Sequence, residues 1–156
     1  MITSVANKQV KNIIQLIKKT KERQAQHVFV AEGIRLFEEI PKELIQDVYA
    51  AESFFNKKEH TEKLRGIQYE TVSDAVFERM SDTKTPQGIL CTARQPQYQL
   101  EDLLVQKQPH LLILEGIQDP GNLGTMFRTG EGAGVTGIIL SGCADLFAPK
   151  TVRSTM

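Results

Sequence analysis

Excess charge of either sign is missing from this chain of 156 residues, in which nineteen Lys and Arg stand against nineteen Asp and Glu. The balance removes global electrostatics as a guide to any partner, nucleic acid included. Cysteine is scarce as well. Cys91 and Cys143 lie far apart, with no C-x-x-C pair and no histidine at ligand spacing, which excludes a zinc site and a disulfide framework and fits a reducing cytosol. No apolar run approaches the ~18 residues that cross a bilayer, and the opening MITSVANKQ lacks the basic-then-apolar order of a signal peptide. The expectation is a soluble, cytoplasmic protein with no membrane partner and no metal. Hydrophobic residues make up 40%, enough for a core, so the length suits one ordinary domain or two small ones.

What the global charge lacks, one segment has. Between Lys8 and Arg23 six cations (Lys8, Lys11, Lys18, Lys19, Lys21, Arg23) face one anion, Glu22. Val10, Ile13, Ile14 and Ile17 recur at the spacing of one helical face, so this is an amphipathic basic helix, and it ends in KKTKERQAQH, a polar stretch without a period. HVFVAEG then reads as a strand at a sheet edge, and Gly33 turns the chain into a helix IRLFEEI stopped by Pro41. The pattern alternates onward: LIQDVYAA strand, ESFFNKKEHTEKLR helix, IQYETV strand, SDAVFERMS helix, GILCTAR strand. Alternation of this kind predicts a layered α/β domain with crossovers. The loop SDTKTPQG before the last strand is either functional or a plain connector. Phe29, Phe37, Phe54 and Phe55 are expected in the core, and His27, His60 and His110 show no pairing that suggests catalysis.

The polar, proline-containing QPQYQ marks a domain boundary, and LEDLLVQKQ reads as a short bridging helix. The organisation expected is a first domain over residues 1–95, a linker over 96–109 and a second domain over 110–156. LLILEGI and VTGIILSG are continuous apolar runs, as in strands buried on both faces. Between them Asp119 to Gly134 reads DPGNLGTMFRTGEGAG, five glycines around one arginine. Each helical glycine costs about 1 kcal/mol relative to alanine, so such density implies close packing or a close ligand. The spacing is neither G-x-G-x-x-G nor a P-loop, and tight helix–sheet packing remains open beside an anion site. Asp119 or Asn122 is placed to cap the helix. Leu123, Met126, Phe127 and Gly130 fall on a face toward the sheet, while Thr125, Arg128 and Glu131 fall on another, so Arg128 is expected to be presented and Glu131 to pair with it. Residues 110–156 supply too little to bury both faces of a parallel sheet, so the second domain is expected to be incomplete or to need a partner.

The pattern D-P-x-N-x-G-x-x-x-R followed by a Gly-rich helix end and an apolar strand closely resembles the first signature motif of the SpoU (TrmH-like) RNA 2′-O-ribose methyltransferases, a SPOUT family; Asn122, Gly124 and Arg128 are the matching positions. The tail APKTVRSTM is similar to a second family segment through Lys150, Arg153 and Ser154. FVAEGIRLFEEI and TKTPQGIL are similar to the family's auxiliary RNA-binding domain. The resemblance implies a ribosomal-protein-like α/β RNA-binding domain followed by an incomplete parallel-sheet α/β catalytic domain of SPOUT type. It implies methyl transfer from S-adenosylmethionine to a ribose 2′-hydroxyl of RNA, ribosomal RNA foremost, and a homodimer when full length. The cofactor site lies in a C-terminal knotted segment with no counterpart here, so a truncated member is expected.

The same resemblance makes Arg128 catalytic. Free arginine has a pKa above 12, so service as a base would need roughly 5 units of depression, about 7 kcal/mol. Clamping a phosphate and stabilising a developing alkoxide use its protonated state. Asn122 is assigned to positioning, with Gly124 and Glu131 in support, and RNA contacts are expected from Lys18, Lys19, Arg23, Arg35, Lys150 and Arg153. Two other readings stay open: a non-catalytic RNA-binding fragment without a cofactor site, and a small nucleotide-binding α/β protein.

Overall fold

The computed structural model describes residues 1–105 and 107–156. Its contacts divide the chain into two units, Met1–Gln95 and Pro96–Met156.

In the first unit, Asn7 opens α1 (Lys8–Lys18) by accepting the Gln9 N–H on its side-chain oxygen at 2.8 Å. Val10, Ile13 and Leu16 are buried, while Ile14 and Ile17 lie at the margin of the core. The polar stretch that follows is not aperiodic coil; it forms α2 (Thr20–Gln26) after a break at the extended Lys19. Arg23 supplies the reason. Its guanidinium is buried and donates from Nη1 to the carbonyls of Leu16 (2.5 Å) and Ile17 (3.0 Å), and from Nη2 to the Thr20 hydroxyl (3.0 Å). The orphan carbonyls at the end of α1 are thereby satisfied by a side chain one turn into the next helix. His27, at φ 52°, ends α2 in the left-handed conformation.

Four strands follow, β1 (Val28–Glu32), β2 (Ile45–Ala51), β3 (Glu70–Val72) and β4 (Ile89–Arg94), in the order β1-β4-β2-β3. The strand–helix alternation predicts crossovers, yet only β2 and β3 are parallel; β4 runs antiparallel to both its neighbours. Because β4 comes last and inserts between β1 and β2, local order in the sequence does not reveal its direction. The helix expected over residues 52–65 breaks into a 3-10 turn (Glu52–Asn56) and α4 (Lys58–Lys63), where the His60 ring stacks on Phe54 at 4.6 Å. One face of the sheet packs Val28, Val30, Tyr49, Ala51 and Leu90 against α1 and α5 (Asp74–Met80), with Phe77 and Met80 at the centre. α3 (Ile34–Glu39) packs on β1 and β4 and buries Leu36 and Phe37. Cys91 is fully enclosed in β4, and burial pushes its thiol up to about 12. Cys143, in the second unit, is half-buried and unpaired. A thiol reagent is therefore expected to label Cys143 promptly in the native protein and Cys91 only at the rate of unfolding; equal labelling would show that β4 opens.

The second unit begins with α6 (Leu100–Leu104), the described part of LEDLLVQKQ; Gln106 lies outside the described residues. β5 (Leu111–Glu115) and β6 (Gly137–Ser141) pair in parallel, joined by α7 (Pro120–Gly132). Gly130 lets α7 approach the sheet: a Cβ there would sit 3.6 Å from Ile138 and 3.7 Å from Leu112. Gly137 lies under the Leu103 side chain, so α6 packs on the start of β6. α8 (Pro149–Ser154) closes the described chain, with Thr151 buried and its hydroxyl donating to the Asp145 carbonyl at 2.9 Å. The two apolar runs do not become strands buried on both faces: in β5 and β6 only Leu114 is buried and Ile113 is 68% exposed, since two strands and their connecting helix do not cover both sides of the sheet.

Candidate functional site

Asp119 ends the loop after β5 and caps α7, its Oδ1 accepting the Asn122 N–H at 2.8 Å, with Pro120 at the first helical position. The capping role open to Asn122 thus belongs to Asp119. Asn122 sits in the third helical position with an exposed side chain, which leaves its carboxamide available to a ligand. Asp119→Ala is expected to cost about 1 kcal/mol, read by thermal unfolding, while Asn122→Ala leaves stability unchanged.

Gly124 and Arg128, four residues apart, share a face of α7 that looks onto α8. A Cβ on Gly124 would lie 2.7 Å from the Ser154 carbonyl carbon and closer still to Ser154 Cβ. One turn on, Arg128 is exposed and donates from Nη1 to the Met156 carbonyl at 2.6 Å. The arginine is presented, on the side of α7 that helical spacing also gives Thr125 and Glu131, and its guanidinium reaches the residue that follows α8. Thr125 donates back to the Gly121 carbonyl at 2.9 Å. Among the described residues Arg128 and Glu131 make no ion pair. The support assigned to Glu131 is therefore replaced by a backbone carbonyl, a partner no side-chain spacing rule could reveal.

Of the cations expected to meet RNA, Lys18, Lys19 and Arg35 are exposed in the first unit and Lys150 in the second, while Arg153 is half-buried. Arg23 is a correction. At 3% exposure, with Nη1 bonded to carbonyls of α1 and Nη2 to the Thr20 hydroxyl, it ties two helices together and is withdrawn from any ligand. Among the described residues no three His, Cys, Asp or Glu side chains gather as a metal site would require. No helix among them is long and apolar enough to cross a membrane.

The MRM3-like substrate binding domain family matches residues 7–91, and the SpoU rRNA methylase family matches residues 109–156. The chain belongs to the MRM3-like substrate binding domain family, which spans more than half of it, and its remaining part is similar to the SpoU rRNA methylases. Similar proteins include the 23S rRNA (guanosine(2553)-2′-O)-methyltransferase RlmP of Bacillus subtilis, 34% identical over 98% of this chain, and the mitochondrial rRNA methyltransferase 3 of Homo sapiens, 29% identical over 96%. The chain spans 59% of the length of the first and 37% of the second. The crystal structure of an AdoMet-bound rRNA methyltransferase from Sinorhizobium meliloti superposes with a TM-score of 0.82 at 31% identity, covering 99% of this chain and 59% of that one. The SpoU fold, with its mixed first sheet and parallel β5-α7-β6 unit, is thus established.

S-adenosylmethionine demands partners for a sulfonium, an ammonium and a carboxylate. The groove beside β5 and α7, about 490 Å³, is walled by Leu112, Leu114 and Met126 and offers only His110, Thr125 and Thr129 as polar groups. With no charged side chain in its lining, this groove by itself does not fit the cofactor.

Proposed function

We propose that the protein serves 2′-O-methylation of ribose in ribosomal RNA, a step of ribosomal RNA processing, with S-adenosylmethionine as the methyl donor. The observation that carries this reading is Arg128, exposed on α7 and fixed to the backbone of residue 156 at 2.6 Å. Held there, the guanidinium grips the phosphate beside the reacting ribose through two parallel N–H bonds and stabilises the charge that develops on the 2′-oxygen. Both tasks use its protonated state. Asn122, three helical positions into α7, orients the ribose through its exposed carboxamide. Lys150, and Arg153 beside it, hold the flanking backbone.

Residues 1–95 form the RNA-binding domain, 96–109 the connection and 110–156 the beginning of the methyltransferase domain. Two free thiols support a cytoplasmic setting, and the exposed Ile113 supports a homodimer. The test is direct. Purified protein incubated with protein-free ribosomal RNA and S-adenosylmethionine is expected to create alkali-stable dinucleotides, since a methylated 2′-oxygen cannot attack its own phosphodiester. RNA binding without such dinucleotides, and without calorimetric heat from the cofactor, would instead identify an RNA-binding module.

A further inference from the structure

Glu32 is a buried carboxylate that the reaction above does not use. It closes β1 with 7% of its surface exposed, and it receives three donors from one short loop: the Ser81 hydroxyl at 2.5 Å, the Thr83 hydroxyl at 2.6 Å and the Asp82 N–H at 2.9 Å. The far end of that loop is fixed as well, where the Gln87 carboxamide oxygen accepts the Ile34 N–H at 2.8 Å. A chain pinned at 81–83 and again at 87 holds the residues between at the surface. Those are Lys84, Thr85 and Pro86, of which Lys84 and Thr85 are exposed. At the foot of the loop lies a groove of about 510 Å³ whose lining includes Ser81, Lys18 and Arg79, with Glu78 the acidic member. Arg35, exposed one residue beyond Ile34, flanks the loop's other anchor.

A buried acid is costly unless its acceptors are filled, and here they are filled by a loop that carries no core residue between Ser81 and Gln87. The energy of three bonds, two of them to hydroxyls, goes into ordering a polar, cation-bearing surface. Loops ordered this way present charge with little entropy left to lose on binding. Cations spread along a groove and an adjoining rigid loop match the repeating charges of a nucleic-acid backbone.

We propose that the loop from Ser81 to Gln87 and the groove at its foot form a sugar-phosphate contact surface for folded RNA, with Lys84, Arg79 and Lys18 touching phosphates and Glu32 as the positioning residue that holds the loop in shape. The proposal rests on the RNA reading above and adds to it which residues of the first unit do the gripping. Lys84 and Arg79 touch; Glu32 acts through the loop.

Fluorescence anisotropy of labelled, protein-free ribosomal RNA against the 156-residue protein, over a series of KCl concentrations with duplex DNA as the control, tests this. Lys84→Ala and Arg79→Ala are each expected to weaken RNA binding about three- to tenfold and to reduce the salt slope by about one. Glu32→Gln turns its carboxamide oxygen to the Asp82 N–H and its N–H₂ to the Ser81 and Thr83 hydroxyls, which lose the charged acceptor they donate to; this loosens the loop without removing a phosphate contact. It is expected to weaken binding by a similar factor with the salt slope unchanged, and to add little when combined with Lys84→Ala. Thr83→Val, which removes one of the three donors from the loop side, is expected to follow Glu32→Gln and stands in for it should the buried substitution prevent folding. Unchanged affinity and slope for Lys84→Ala and Arg79→Ala would overturn the contact surface while leaving the RNA reading intact. A Glu32→Gln or Thr83→Val protein that melts earlier but binds as the wild type, or whose effect adds fully to that of Lys84→Ala, would reduce Glu32 to a purely structural acid. A wild-type protein that prefers duplex DNA, or binds neither, would overturn both this proposal and the reading beneath it.

Discussion

Arg128→Ala is expected to lower ribose methylation about 10²- to 10³-fold, equivalent to about 3–4 kcal/mol of transition-state stabilisation, the range found when one preorganised donor is removed from a developing oxyanion. On the proposed role the fall should lie in kcat, with the KM for RNA moving little, because that role gives the reacting ribose to Arg128 and the rest of the transcript to other cations. Arg128→Lys decides between roles. Lysine keeps the charge but loses the planar fork that binds a phosphate through two parallel bonds, so it is expected to restore no more than a small part of the activity. A lysine variant with nearly full turnover would show that a point charge suffices and would remove the bidentate clamp. Stability provides the control. Arg128 is exposed, so either substitution is expected to leave the melting temperature within about 1–2 °C, as surface changes of under 0.5 kcal/mol do.

How far the sequence reveals this molecule depends on whether the deciding interaction is local. The α7 stretch is legible because its signals are: Asp119 and Pro120 open a helix, Leu123 and Gly130 recur on one face, and two apolar runs flank it. Arg128 is legible as exposed for the same reason. Its partner is not, since Met156 lies 28 positions away and contributes a main-chain carbonyl with no side-chain signature. Arg23 illustrates the opposite failure. In sequence it is one more cation in a basic run, and only the unsatisfied carbonyls at the end of α1 explain why it turns inward. Glu32 likewise reads as the polar end of the strand VFVAE; the Ser81 and Thr83 that fill its acceptors are about fifty residues away. The mixed direction of the first sheet falls in this class too, because β4 is placed by pairing with β1 and β2 and not by its neighbours in sequence. A signal for Glu32 did exist: an acid closing a buried strand, followed by glycine, and later the donor-rich SDT.

Gly124→Ala tests the physical basis of the motif more sharply than any change of charge. In isolation the substitution favours α7, since alanine stabilises a helix by about 1 kcal/mol over glycine. Against that, the new methyl would stand 2.7 Å from the Ser154 carbonyl carbon, a separation at which α8 must give way. Overpacking of this kind costs about 1–3 kcal/mol where the neighbour resists. α8 resists little, being six residues long and marginal as a helix without its packing. The expected result is that α8 leaves its seat: the Val152 N–H, bonded to the Ala148 carbonyl at 3.0 Å, should lose protection in hydrogen exchange while amides of β5 and β6 keep theirs. Once α8 moves, the Met156 carbonyl leaves Arg128, and methylation is expected to fall about ten- to a hundredfold although the arginine itself is untouched, as misplacement of a positioned group does. Because the glycine acts through the arginine, Gly124→Ala added to Arg128→Ala should cost little more than Arg128→Ala alone. An alanine variant with a protected Val152 amide and full activity would mean that the helices separate without consequence, and the family's glycine would then need a ligand, not a neighbouring helix, to explain it.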